Sequence, residues 1–249
     1  DRLRAILDLI DKYFPDCQMI NMDATVTSIR LKSDEELQEL YDRKVRHLYL
    51  GIESGLDDVL KFMRKEHTQD QAYKEIARIQ RVGLIFDAHV MSGVAGKGRG
   101  QENAIALAEF LNKTQPDRIV NFSLFLHNQV ALYEDIKSGA FIPADEVENM
   151  EEERTLIELL KEGPDGHQML YDGFNDFLEL RVKGKVPKDA PRMIEKLTEA
   201  IEKYKDEPPI YAYVRGDCPD LSMCDGGRWL WEMDDSKLAQ YNEKEKKLS

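Results

Sequence analysis

The chain has 249 residues, 42% of them hydrophobic and 33% charged, and a formal net charge of −13 at pH 7. That length admits one large α/β domain or two modest ones with a sizeable core, and the composition is that of a folded chain. The acidic balance disfavours a general nucleic-acid surface, which needs basic residues to displace counterions, and no run of about 18 apolar residues announces a membrane span.

In chain order, Leu3, Ile6, Leu7, Ile10, Tyr13 and Phe14 recur at helical spacing, which predicts an amphipathic helix ended by Pro15 and Asp16. The charge along that opening stretch does not read as a secretory signal. A short buried strand is expected at 17–22. "SDEE" at 33–36 has the form of a capping box and opens a helix to about Lys44, followed by a strand over "HLYLGI" at 47–52. Helices are expected at 56–63 and 69–82, the second capped by Thr68 with Gln71 and ended by Gly83. A strand at 84–94, a helix from Gln101 to Lys113 and a strand at 117–126 follow. Residues 131–138 and 145–162 read as helical.

This alternation implies parallel strands joined by right-handed crossovers. After residue 163 the rhythm changes: "GPDGH" reads as a break, "FLELRVKGKVP" as an extended segment, and 189–205 as a surface helix. The pattern divides into an α/β part over 1–165 and a C-terminal extension and tail over 166–249. Four strands are evident, too few to close a barrel. The fold class is therefore α/β, a partial parallel (β/α) TIM-like barrel whose N-terminal strands are missing, with a C-terminal extension.

Ligands of such sheets sit beyond the carboxyl ends of the strands. Those ends carry Asp23, Ala24 and Thr25; Glu53 and Ser54; Asp87, His89 and Ser92 running into "GVAGKGRG"; and His127 with Asn128. Each has a structural alternative. Ser54 serves equally as the cap of the next helix, and a histidine in an apolar strand is more often a hydrogen-bonded core residue than a catalyst. Glu53 is the harder one to explain structurally, because a carboxylate at a strand end must be paired or bound. The glycine-rich stretch matches neither the Walker nor the dinucleotide pattern. Cys17, Cys218 and Cys224 are too sparse and badly spaced for a zinc or iron–sulfur set, so no metal ligand is assigned; they suit a reducing cytoplasm.

Three stretches, "LYLGIESGLDDVLKFMRKEHT" (48–68), "VGLIFDAHVMSGVAGKGRGQENA" (82–104) and "LELRVKGKVPKD" (178–189), resemble the radical S-adenosylmethionine (SAM) superfamily. The likeness is to members with an Elp3-like or oxygen-independent coproporphyrinogen oxidase-like core. The resemblance implies cofactor-binding roles for Glu53 and Ser54 at the strand end and for Lys65 facing the SAM carboxylate, with Arg64 as the neighbouring choice. It puts His89 near the ribose and Asp23 at the preceding strand end.

The superfamily also carries C-x-x-x-C-x-x-C for a [4Fe–4S] cluster that supplies the electron for cleaving SAM to a 5′-deoxyadenosyl radical. That motif does not occur in this sequence. The expectation is the C-terminal portion of a cytoplasmic iron–sulfur oxidoreductase that abstracts hydrogen from a small-molecule or unknown substrate. An electron-donor protein is the implied partner, with no membrane or nucleic-acid partner. SAM and the cluster would be cofactors of the intact protein, and this chain alone would be inactive. Two alternatives stand beside it: a cluster-free binding or scaffold module on a degenerate barrel, and a metal-independent enzyme using Glu53 and His89 as acid and base.

Overall fold

The computed structural model describes residues 2–127, 129–175, 178–214 and 228–229. Helix α1 (Arg2–Tyr13) leads into β1 (Ile20–Ala24), then α2 (Val26–Arg30), α3 (Asp34–Asp42) and β2 (Val45–Glu53). Next come α4 (Asp57–Phe62), α5 (Gln69–Arg81), β3 (Ile85–Ser92), α6 (Gly100–Thr114) and β4 (Arg118–Ser123). After β5 (Leu126–His127) the chain forms α7 (Ala131–Lys137), α8 (Glu146–Leu159), β6 (Met169–Asn175) and β7 (Leu180–Val186). Helix α9 (Ala190–Tyr204) and strands β8 (Tyr211–Val214) and β9 (Arg228–Trp229) complete the described elements.

Both capping boxes read from sequence are present: Ser33 with Glu36 opens α3, and Thr68 with Gln71 opens α5. Helix α2 is an addition. Its box pairs Thr25 with Ser28, where the usual pattern has Glu or Gln, and it is only five residues long.

The main sheet has six strands in the order β1-β2-β3-β4-β6-β7, parallel throughout except that β7 is antiparallel to β6. Because β1 and β7 are its two ends, the sheet is an open, partial TIM-like barrel. Four strands were expected, and β6 is the one the sequence hid. The extended segment that follows it is β7, an edge strand with Lys183 and Lys185 exposed, charges of the kind that discourage strand-to-strand association. Both strands lie beyond residue 165 yet are hydrogen-bonded into the same sheet. The strand expected at 117–126 instead breaks after Ser123, and β5 pairs with β8 away from the main sheet.

One face of the sheet is covered by helices. Leu48, Leu50, Ile52, Phe86, Ala88, Val90 and Ile119 are buried there with Ala72, Ile76, Leu107, Leu111, Ile157 and Leu197 in a single core. The alternate residues on the other face remain half-buried, as period-2 alternation requires. That second face is the open one.

Candidate functional site

Strand β2 reaches the carboxyl rim of the sheet with a bulge: the register with β3 shifts between Gly51 and Glu53, and Glu53 takes a left-handed φ of 63°. A bulge re-aims the side chain that follows it. Glu53 folds back over Gly51, where an added Cβ would come within 2.7 Å of its Oε1. The carboxylate therefore lies on the open face, and only glycine leaves it room. Lys65 reaches it from the loop after α4, with Nζ donating to Oε1 at 2.7 Å.

His89 stands two residues lower on the same face, in register with Gly51. Its ring lies 5.1 Å from that of Tyr49 and meets Phe122 edge-on at 5.9 Å. Phe122 stacks on Phe174 at 5.6 Å, and the Arg181 guanidinium covers Phe174 at 4.5 Å. An aromatic row thus runs across the open face below the Glu53–Lys65 pair. Asp23 is exposed and in register with Tyr49, which puts it on this face as well.

Behind the rim, on the helix-covered face, is a polar network with no counterpart in the sequence reading. Ser54 is fully buried; its hydroxyl donates to Asn103 Oδ1 at 2.6 Å and accepts the Leu56 N–H at 3.1 Å. It holds the turn after Glu53 and points away from the open face. Asn103 in turn donates to Glu152 Oε1 at 2.7 Å, and Glu152 Oε2 accepts the Gly93 N–H at 2.9 Å. Glu153 accepts from Tyr171 and Asn175, each at 2.9 Å. Glu146 accepts from Asn149 at 3.0 Å and lies 3.2 Å from the Ser123 hydroxyl, which also contacts Asn175 Oδ1. Burial pushes the carboxyls of Glu146, Glu152 and Glu153 up to about 7 each.

The glycine-rich loop is used by this network too. Gly93, Gly96 and Gly98 adopt positive φ, and the Gly98 N–H points to Glu148 Oε1 at 3.3 Å. Its amides thus meet carboxylates of α8, so an incoming anion finds the loop occupied. Arg99 is held between Asp58 at 2.8 Å and Glu102 at 2.9 Å, while Lys97 stays exposed. Arg64 is directed to Asp135 at 3.9 Å, leaving Lys65 as the cation at Glu53. His127 accepts the Gln129 N–H at 3.1 Å; Asn128, Cys218 and Cys224 lie outside the described residues.

No family model matches the chain. A 101-residue stretch, 39% of the chain, is 31% identical to tRNA-2-methylthio-N(6)-dimethylallyladenosine synthase of Acinetobacter baumannii, covering 20% of that protein. A 120-residue stretch, 48% of the chain, is 24% identical to tRNA uridine(34) acetyltransferase of Methanocaldococcus infernus, covering 22% of it. The matches span about a fifth of the length of these curated relatives. The solved structure of the archaeal Methanocaldococcus infernus Elp3 lacking residues 1–46 superposes with a TM-score of 0.54 at 18% identity. That superposition takes in 75% of this chain and 42% of the Elp3 chain.

The chain is related to the radical SAM superfamily. Intact radical SAM proteins hold SAM and a [4Fe–4S] cluster. A cluster needs a set of thiolates; among the described residues Cys17 is the sole cysteine, and its Sγ donates to the Met19 carbonyl at 3.3 Å. The described residues do not fit a cluster.

Proposed function

We propose that this chain furnishes the SAM-gripping part of a radical SAM site. The observation that carries this reading is the Glu53–Lys65 pair on the open face. An acid and a base 2.7 Å apart at a strand mouth match the opposite charges of an α-amino acid zwitterion, the end SAM presents. Glu53 would accept from the ammonium and Lys65 would donate to the carboxylate. Glu53 is 15% exposed and Lys65 38%, so a ligand can reach both while water competes less than at an open surface. His89, flanked by Tyr49 and Phe122, is assigned to the ribose side, and Asp23 to the outer lip of the rim.

Held by Glu53 and Lys65, SAM would supply radical chemistry for hydrogen abstraction only if a cluster carried by other thiolates provided an electron. That chemistry calls for thiolates other than those of the described residues and for an electron-donor protein. The relatives carry names that refer to tRNA, but with a net charge of −13 we assign a small-molecule or unidentified substrate and no broad nucleic-acid surface. A cluster-free module that kept the same pocket is the second reading. Both readings leave this chain without a cluster of its own. They part on whether SAM is cleaved when cluster-holding thiolates and an electron donor are supplied by another protein under anaerobic conditions: the module binds SAM and leaves it intact.

Isothermal titration with SAM tests the proposal. Wild-type protein is expected to bind, with methionine competing, while Glu53→Gln and Lys65→Ala bind about tenfold more weakly or worse and Arg64→Ala binds as wild type. Absence of binding to the wild type, or equal binding by Glu53→Gln, overturns it.

A further inference from the structure

At the foot of the sheet, on the far side from the rim, a second group of donors meets. His47 lies six positions before Glu53 on β2, about 20 Å away at about 3.3 Å per residue. Its Nδ1 is 2.6 Å from Asp87 Oδ2 on β3. Asp117, in the turn that feeds β4, completes the group: one donor atom from each of the three lies within 4.8 Å of the others. The main chain fixes Asp117 there, because its N–H donates to the Phe86 carbonyl and its own carbonyl accepts from Leu170, both at 2.9 Å.

An ordinary histidine–aspartate pair accounts for only part of this arrangement. The Asp87 side chain is 0% exposed, and its second oxygen, Oδ1, has no hydrogen-bond partner. A buried unsatisfied oxygen costs about 1–3 kcal/mol. Arg118, in register with Asp87, makes no hydrogen bond to that oxygen. A cation between the three side chains would satisfy Asp87 and offset the charge of both carboxylates.

We propose that His47, Asp87 and Asp117 form a binding site for a divalent transition-metal ion, with zinc the closest match. One imidazole and two carboxylates suit zinc, manganese or ferrous iron, whereas an all-oxygen set would favour magnesium or calcium. Three protein donors leave a coordination position open, and exposure of Asp117 places it toward solvent. The site is separate from the SAM rim and does not depend on that assignment.

Zinc titration by calorimetry, with cobalt(II) absorption as a spectroscopic readout, tests the site on the full chain. Asp117→Asn is the main variant because Asp117 is exposed and its loss should leave the metal-free melting temperature unchanged; His47→Gln is the second. One zinc per wild-type chain, weakened about tenfold or more in both variants, is the expected result, together with a melting temperature that zinc raises only in the wild type. A wild-type chain that takes up no zinc overturns the site. So does zinc bound equally by Asp117→Asn, as an ion held by the cysteines would be.

Discussion

Two faces meet at the carboxyl end of the sheet, and both are polar. On the helix-covered face Ser54, Asn103, Glu152, Glu153, Tyr171 and Asn175 spend their hydrogen bonds on one another. On the open face Glu53 meets one cation, and His89 meets only aromatic rings among its ring contacts. Polarity near a strand mouth therefore does not mark a ligand site by itself. What marks it is whether the polar atoms are committed to partners sealed inside the protein or, as at Glu53 and Lys65, to one that a ligand can reach. The covered face is built to hold the turn; the open face is left available.

The largest expected effect tests that division. Glu152→Ala strips the Gly93 amide and Asn103 of a buried partner and should destabilise the fold by about 3 kcal/mol in urea unfolding. Glu53→Gln should cost no more than about 1 kcal/mol, because its partner Lys65 is solvent-accessible. Equal costs at the two positions would erase the distinction.

Next comes pH. The three buried glutamates titrate near 7 in the folded chain against an ordinary value of 4.5. Between those values the folded state binds more protons than the unfolded one, so stability is highest at the acid end and falls as pH rises toward and through 7. Arg99 holds the Asp58 carboxyl below its usual range, so loss from that pair begins only at more acid pH. Lowering pH from 8 to 5.5 should add at least about 1 kcal/mol, roughly 2–4 °C in melting temperature. The Ser123 hydroxyl has one proton for two acceptors, Glu146 and Asn175; a protonated Glu146 resolves this by donating to Ser123. Glu146→Gln supplies that donor permanently. It should flatten the pH profile, whereas an unchanged profile would remove Glu146 from the explanation.

The smallest effect sharpens the open side of the comparison. Gly51→Ala places a methyl where the Glu53 carboxylate rests. The carboxylate is the far end of a flexible side chain, so the fold should lose about 1 kcal/mol or less, while SAM affinity falls severalfold by calorimetry. A substitution silent on binding would show that the folded-back pose of Glu53 is not the one used.

Much of this fold could be read from residue patterns, since apolar runs in β2 and β3 and the Ser33 and Thr68 boxes carry local signals. Strand β6 could not. Its inward positions are Met169, Tyr171, Gly173 and Asn175, and glycine and asparagine stand there because the Glu153 carboxylate packs against them. A strand shaped around a buried acid loses the hydrophobic signature by which strands are found. The candidate site divides the same way. Glu53, His89 and Asp23 announce themselves by their places on or at the ends of strands and Lys65 only through the family resemblance, but Asn103 and Glu152 lie on helices and matter only through long-range pairing. The one available hint was α8, where Glu146, Asn149 and Glu153 recur at helical spacing with Met150, Leu156 and Ile157, placing acids on the apolar stripe.

The most direct measurement is a crystal structure of the chain grown at saturating SAM. The methionyl ammonium should lie within about 3 Å of the Glu53 carboxylate and the ligand carboxylate at Lys65, with the ribose toward His89. An empty rim, or SAM bound elsewhere with Glu53 and Lys65 still paired to each other, would contradict it.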